Sequence, residues 1–223
     1  MPDYRSTGVN LLEGSSPKKD GFRFPAEWEK HECTIMVLPS PQNWKGHGFS
    51  MDEVHDQWAA IANKLAEFEP VVMVTRPEDR RKALRLVSKQ VDLLEMTVND
   101  GWARDTGPMF VVNTNGERRV AGCTFNGWGG KFPPYTDDAF LKAKLSKHFD
   151  AAMYPIDLVL EGGAVAFDGE GTVLTTEQCL LHDSRRGSRT RANIEDKLNE
   201  SFGTSKVIWL DKGLNRTRLR MVT

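Results

Sequence analysis

Three short segments carry residues able to hold a planar cation. They are Asn99-Asp100-Gly101-Trp102-Ala103-Arg104-Asp105-Thr106-Gly107-Pro108, then Phe125-Asn126-Gly127-Trp128-Gly129-Gly130, then Leu160-Glu161-Gly162-Gly163. Asp105 and Glu161 are acids beside apolar runs, and their neighbouring glycines let backbone approach a ligand closely. A carboxylate accepts two parallel N–H bonds from a guanidinium. Trp102 and Trp128 offer flat faces, and a cation over such a face gains about 0.5–2 kcal/mol. The same residues admit a structural reading: Asp100, Arg104 and Asp105 as an ion-pair network, glycines as turns, tryptophans as core.

The elements that must position these segments follow from periodicity. Thr34–Leu38, Val71–Thr75, Val91–Val98, Ile156–Leu160 and Lys206–Leu210 read as buried strands. Ser50 and Glu53 form a capping box, and Val54, Trp58, Ile61, Leu65 and Phe68 follow on one expected helical face. Pro77 suits a first helical turn, with Ala83, Leu84 and Val87 expected inward. Asp137 opens a helix burying Leu141 and Leu145, and Ile194, Leu198 and Phe202 mark another. Asn115-Gly116 and Asp168-Gly169-Glu170-Gly171 are hairpin signals, the second between Ala164–Phe167 and Thr172–Thr175. The pattern is a repeated strand, hairpin and helix unit, of class α/β or α+β with short sheets. Each candidate segment falls where a strand should end, a usual place for a site.

Composition narrows the function classes. At 223 residues, 39% hydrophobic and 27% charged, the chain resembles an ordinary globular protein. A net charge of −1 gives no footprint for nucleic acid or an anionic membrane. No apolar run is long enough to cross a bilayer, and the polar stretch 1–20 reads as a flexible tail without signal-peptide character. Cys33, Cys123 and Cys179 are scattered, which suits a reducing cytoplasm.

Phe24-Pro25-Ala26-Glu27-Trp28, Met36–Trp44, Asn99–Pro108, Thr124–Gly130, Leu160–Gly163 and Gly169–Leu181 together resemble the agmatine deiminase family, in order, between about Gly21 and Gly213. The resemblance implies the guanidine-modifying superfamily and a five-bladed α/β propeller (a pentein) of ββαβ modules, here partial. It implies hydrolysis of agmatine to N-carbamoylputrescine and ammonia, a step in putrescine biosynthesis, without metal or organic cofactor. Asp105 matches the family acid of Trp-x-Arg-Asp, and Glu161 that of Leu-Glu-Gly-Gly; both would clamp the guanidinium. Trp102 and Trp128 would line the pocket, and Arg104 would orient loops. The related protein-arginine deiminases perform the same chemistry on a peptidyl substrate.

The family also uses a cysteine nucleophile in an Asn-x-His-Cys segment and a histidine in Glu-Thr-x-Gly-His-Val-Asp, and this sequence contains neither. Its three cysteines lack a setting that favours a thiolate, and His31, His47, His55, His148 and His182 read as surface or helix-face residues. Arg185-Arg186 stands where the family usually has Arg-Asn. The expected domain is therefore an incomplete catalytic unit over 21–215, with 216–223 an out-of-frame tail. In a shifted frame some codon choices for that tail spell Asp-Glu-Thr-Ala-Asp-Gly-His, close to the histidine motif. The chain as given is expected to be an inactive, incomplete agmatine deiminase, with a guanidinium-binding fragment as the alternative, and its open edge favours a homo-oligomer.

Overall fold

The computed structural model describes residues 2–41 and 48–213. Its strands form three separate three-stranded sheets. In the first, β1 (Thr34–Val37), β2 (Val71–Thr75) and β3 (Val91–Glu95) run parallel. They are joined by α1 (Met51–Leu65), then by a 3-10 turn (Pro77–Asp79) leading into α2 (Arg80–Leu86). A single turn, α3 (Ala103–Thr106), leads to the second sheet. There β4 (Met109–Val112) and β5 (Arg118–Thr124) form an antiparallel hairpin. After α4 (Gly127–Gly130) and α5 (Thr136–His148), β6 (Met153–Val159) returns parallel to β5. The third sheet repeats this plan. Its hairpin is β7 (Val165–Phe167) and β8 (Thr172–Thr176), followed by α6 (Glu177–Leu180), α7 (Asp183–Arg186), α8 (Arg191–Phe202) and the parallel β9 (Lys206–Leu210). The repeated unit is thus ββαβ in the second and third sheets, whereas the first is βαβαβ.

Local chemistry explains most boundaries. Ser50 and Glu53 cap α1 reciprocally, and Thr190 with Asn193 does the same for α8. Gly116, with φ +78°, closes the first hairpin, where any side chain would be strained. Asp168 Oδ1 closes the second by accepting the Glu170 and Thr172 amides.

Packing sets the layers. Leu141 and Leu145 of α5 pack on Val37 and Val74 of the first sheet, while Ala143 packs on Val120 and Met153 of the second. Ile194, Leu198 and Phe202 of α8 lie between Tyr154, Ile156 and Leu158 of the second sheet and Val165, Phe167 and Val173 of the third. Each of these helices is a wall shared by two sheets.

Several expectations change. Residues 2–20, read as a flexible tail, pack against the body: Tyr4 and Val9 are buried beside Val120 and Met153, and residues 10–12 bond along β6. Arg23 bonds to Val112 on β4, so the N-terminal segment covers both edges of the second sheet. The buried face of α1 is Val54, His55, Ala59 and Ala62, leaving Ile61 and Phe68 exposed. Ala62 packs directly on the sheet, with Trp58 and Leu65 half-buried beside it as expected. His55 is interior, its Nε2 2.8 Å from Pro39 O. Leu84 faces solvent. The strand expected over Val91–Val98 ends at Glu95, because its partner β2 ends at Thr75. β9 is an edge strand whose Ile208 and Leu210 are exposed. Trp44, His47 and the stretch 214–223, with its expected frame change, lie outside the described residues.

Candidate functional site

The three candidate segments follow β3, β5 and β6, and they meet at one carboxylate. Asp105 sits in α3, whose turn is closed by the Thr106 and Gly107 amides donating to Trp102 O and Ala103 O. Its Oδ2 accepts the Trp128 indole N–H at 3.1 Å, and its Oδ1 accepts the Gly163 amide at 2.9 Å. The glycines here are required by close approach. A Cβ on Gly163 would stand 2.8 Å from Asp105 Oδ1, and one on Gly162 would stand 2.2 Å from Arg104 O.

Trp128 reaches Asp105 through unusual backbone. Its φ of +55° lies in the left-handed region, between Gly127 at +65° and Gly129 at +84°. Such a conformation costs on the order of 1–3 kcal/mol in a bulky residue and persists only where its surroundings fix it. Asn126 supplies part of that fixing: Oδ1 accepts the Gly129 amide and Nδ2 donates to Ser184 O, each at 2.8 Å. Phe125 and Phe132 hold the indole edge-on, at 5.0 and 5.6 Å between centroids.

Glu161 is set differently. Its side chain is 3% exposed and accepts two bonds from Arg185, from Nε and Nη2, each at 2.9 Å. Burial alone would lower the Arg185 pKa, but Glu161, with Cys179 and Asp105 adding to it, makes the net shift upward. Sequence reasoning marked Arg185 only as part of an unusual Arg-Arg pair. The signal that could have found its role is the acid itself, since a buried glutamate requires a cation or several donors.

The other named residues stand around this corner. Trp102 is 45% exposed at the rim, edge-on to Trp58 at 6.4 Å. Arg104 reaches outward to an ion pair with Glu27. Burial pushes the Cys123 thiol up to about 12 and raises Cys33 as well. Cys179 is also raised, by burial first, although Arg185 opposes the shift while Glu161 and Asp105 add to it. Lys142 beside Cys123 and Arg118 beside Cys33 also pull downward, but burial prevails at all three thiols and the thiolate is disfavoured. Among the described residues no cluster of three or more His, Cys, Asp or Glu could hold a metal ion, and no helix is long and apolar enough to cross a membrane. A wide surface cleft of about 670 Å³ between residues 14–19 and α8 holds neither acid.

The sequence pattern of Porphyromonas-type peptidyl-arginine deiminases matches residues 23–220. The chain is 40% identical over 207 residues to the agmatine deiminase of Pseudomonas aeruginosa, covering 90% of this chain and 55% of that protein. Its fold is similar to a solved agmatine deiminase of Enterococcus faecalis, with a TM-score of 0.88 and 36% identity over 93% of this chain and 58% of that one. It also resembles the C315S agmatine deiminase of C. jejuni with substrate bound, at a TM-score of 0.77 and 30% identity, covering 86% and 57% of the two chains. The chain spans little more than half the length of these relatives. Its match over 23–220 and its identity to these proteins place it plainly: the chain belongs to the Porphyromonas-type peptidyl-arginine deiminase family.

Proposed function

We propose that the corner around Asp105 and Glu161 is the guanidinium-holding part of an agmatine deiminase, which hydrolyses agmatine to N-carbamoylputrescine and ammonia in putrescine biosynthesis. The observation that carries this reading is the convergence of three segments on Asp105, one strand end from Glu161, in a chain 40% identical to an agmatine deiminase. Two accepted bonds leave lone pairs on Asp105 for ligand N–H groups. Trp128 and Trp102 supply the walls. Glu161 serves the ligand by sharing or exchanging its bonds to Arg185.

In the chemistry the family implies, a cysteine sulfur bonds to the guanidinium carbon and a nitrogen leaves as ammonia, protonated by a histidine. Water then displaces the sulfur. The raised thiols of Cys33, Cys123 and Cys179 support a nucleophile supplied from outside this sequence. The reading extends to a cytoplasmic protein without cofactor, and to a partial five-bladed propeller of which the layered sheets are successive blades. A non-catalytic guanidinium binder is the reading favoured for the 223-residue chain taken by itself. The protein-arginine deiminase reading differs only in the substrate's tail.

Calorimetry with agmatine, together with an ammonia assay on the purified chain, tests this. Binding without ammonia release is expected. Ammonia release that survives controls for contaminating host enzyme would refute the missing nucleophile, and absence of agmatine binding would refute the guanidinium site.

A further inference from the structure

We propose that Asp138 and Lys142, one turn apart on the buried face of α5, are positioning residues for the acid corner. Asp138 clasps the backbone that aims Trp102 and Asp105, and Lys142, under the Phe125 ring that holds Trp128, contributes to the field at Glu161. This rests on the reading of that corner as a guanidinium site.

Asp138 is 1% exposed, and its Oδ1 accepts the Asn99 amide at 2.8 Å and the Asp100 amide at 3.3 Å. In return Asn99 Oδ1 accepts the Asp137 amide at 2.8 Å. The first turn of α5 and the segment after β3 therefore cap each other. On the far side, a Cβ on Gly101 would stand 2.7 Å from the Pro39 ring, so the segment is pinned from both sides immediately before Trp102.

Lys142 is 2% exposed. Its Nζ and the second oxygen of Asp138 are buried without a hydrogen-bond partner among the described residues. Leucine or methionine would fill this space without that penalty, so the charges call for a role beyond filling. The Lys142 ammonium stands 5.9 Å from the centre of the Phe125 ring, against which Trp128 packs. The charged and titratable groups whose fields reach it are Cys123 of β5, Asp138, and Glu161 after β6. Those facing Asp138 are Asp100 and Asp137, with Lys142 across the turn. Burial pushes Asp138 up to about 6 and Lys142 down to about 8, so the two charges coexist only in a band around neutrality.

Two measurements on the 223-residue chain test the proposal: agmatine binding by calorimetry from pH 5 to 9, and amide hydrogen exchange at Asn99 and Asp100. Asp138→Ala is expected to weaken binding about tenfold and to lose about tenfold protection at both amides. Asp138→Asn keeps an accepting oxygen, so it should restore both the protection and the binding that Asp138→Ala loses. Lys142→Met should remove a gain in affinity above about pH 8, where the parent sheds a positive charge near the cation site. Unchanged exchange in a folded Asp138→Ala overturns the clasp, and an unaltered alkaline limb in Lys142→Met overturns the role of Lys142. Should Asp138→Ala fail to fold, the parent decides: Asn99 and Asp100 amides that exchange as fast as those of exposed loops overturn the clasp. Absence of agmatine binding by the parent chain counts against the guanidinium site alone, and exchange then decides the clasp.

Discussion

Asp105, in the helical turn that follows β3, and Glu161, directly after β6, are treated by the fold in opposite ways. Asp105 is half-buried and held by two neutral N–H donors, an indole and a backbone amide. Glu161 is buried and already holds a guanidinium, that of Arg185, in the two-pronged geometry an incoming ligand would use. Neutral donors orient a carboxylate without cancelling its charge, whereas an arginine both orients and cancels it. Asp105 is thus the acid that keeps attraction for a cation, and Glu161 the one whose charge is bound into the fold.

The largest effect that could break this contrast is on stability. Arg185→Met leaves Glu161 buried and unpaired, and should destabilise the chain by about 3–5 kcal/mol in urea unfolding. Asp105→Asn should change stability by less than about 1 kcal/mol, since it breaks no ion pair. Equal losses in the two variants would erase the distinction.

Next in size is the pH response of Lys142, whose buried ammonium is coupled to Glu161 through its field. Its folded pKa of about 8 lies below the ordinary value of 10.5, so between those values the unfolded chain holds the proton and the folded chain does not. Stability from this group therefore rises with pH across that window, by about 3 kcal/mol. Asp138 acts over a lower window: its raised pKa makes stability fall as pH climbs from about 4 to about 6. Urea midpoints of Lys142→Met should lack the alkaline rise relative to the parent.

Ligand binding gives the next effect. Asp105→Asn should cost about 1.5–3 kcal/mol in agmatine affinity by calorimetry, the value of charge-assisted bonds to a cation. Glu161→Gln removes the same charge, but it also releases Arg185 into the pocket. A deficit that Arg185→Gln partly repairs in the double variant is the expected signature. The smallest effect is that of Trp128→Phe, which keeps a ring but removes the indole donor. It should weaken agmatine binding by about 1 kcal/mol by leaving Asp105 less firmly aimed.

What the sequence revealed depended on how local the signal was. Ile194, Leu198 and Phe202 recur at four-residue spacing, and all three are fully buried in α8. Both hairpins were legible because Asn115-Gly116 and Asp168–Gly171 are turn chemistry held within a few residues. The face of α1 is legible only in part: Val54, Trp58 and Leu65 turn inward as their spacing predicts, while the buried His55, Ala59 and Ala62 carry no size signal and Ile61 and Phe68 face solvent. The packing of residues 2–20 was hidden for another reason. Tyr4 and Leu11 are buttressed by Val120 and Met153, more than a hundred residues away. The chemistry-bearing loops were visible singly, but the Trp128–Asp105–Gly163 junction and the Arg185–Glu161 pair each span separate segments, and no periodicity carries that information.

The shared helices have a consequence for how the chain comes apart. Because α5 serves the first and second sheets and α8 the second and third, the second sheet cannot open without stripping a wall from both neighbours. The third sheet has α8 on one face, while on the other Leu174, Ile208 and Leu210 meet solvent. Nearest-neighbour coupling of this kind makes unfolding directional, with local opening at the weakest end and near-global opening in the middle. Amides of β9 should therefore exchange through fraying, those of β5 only when the whole stack lets go, and the acid corner, anchored on the second sheet, should keep its shape after the last strand has loosened.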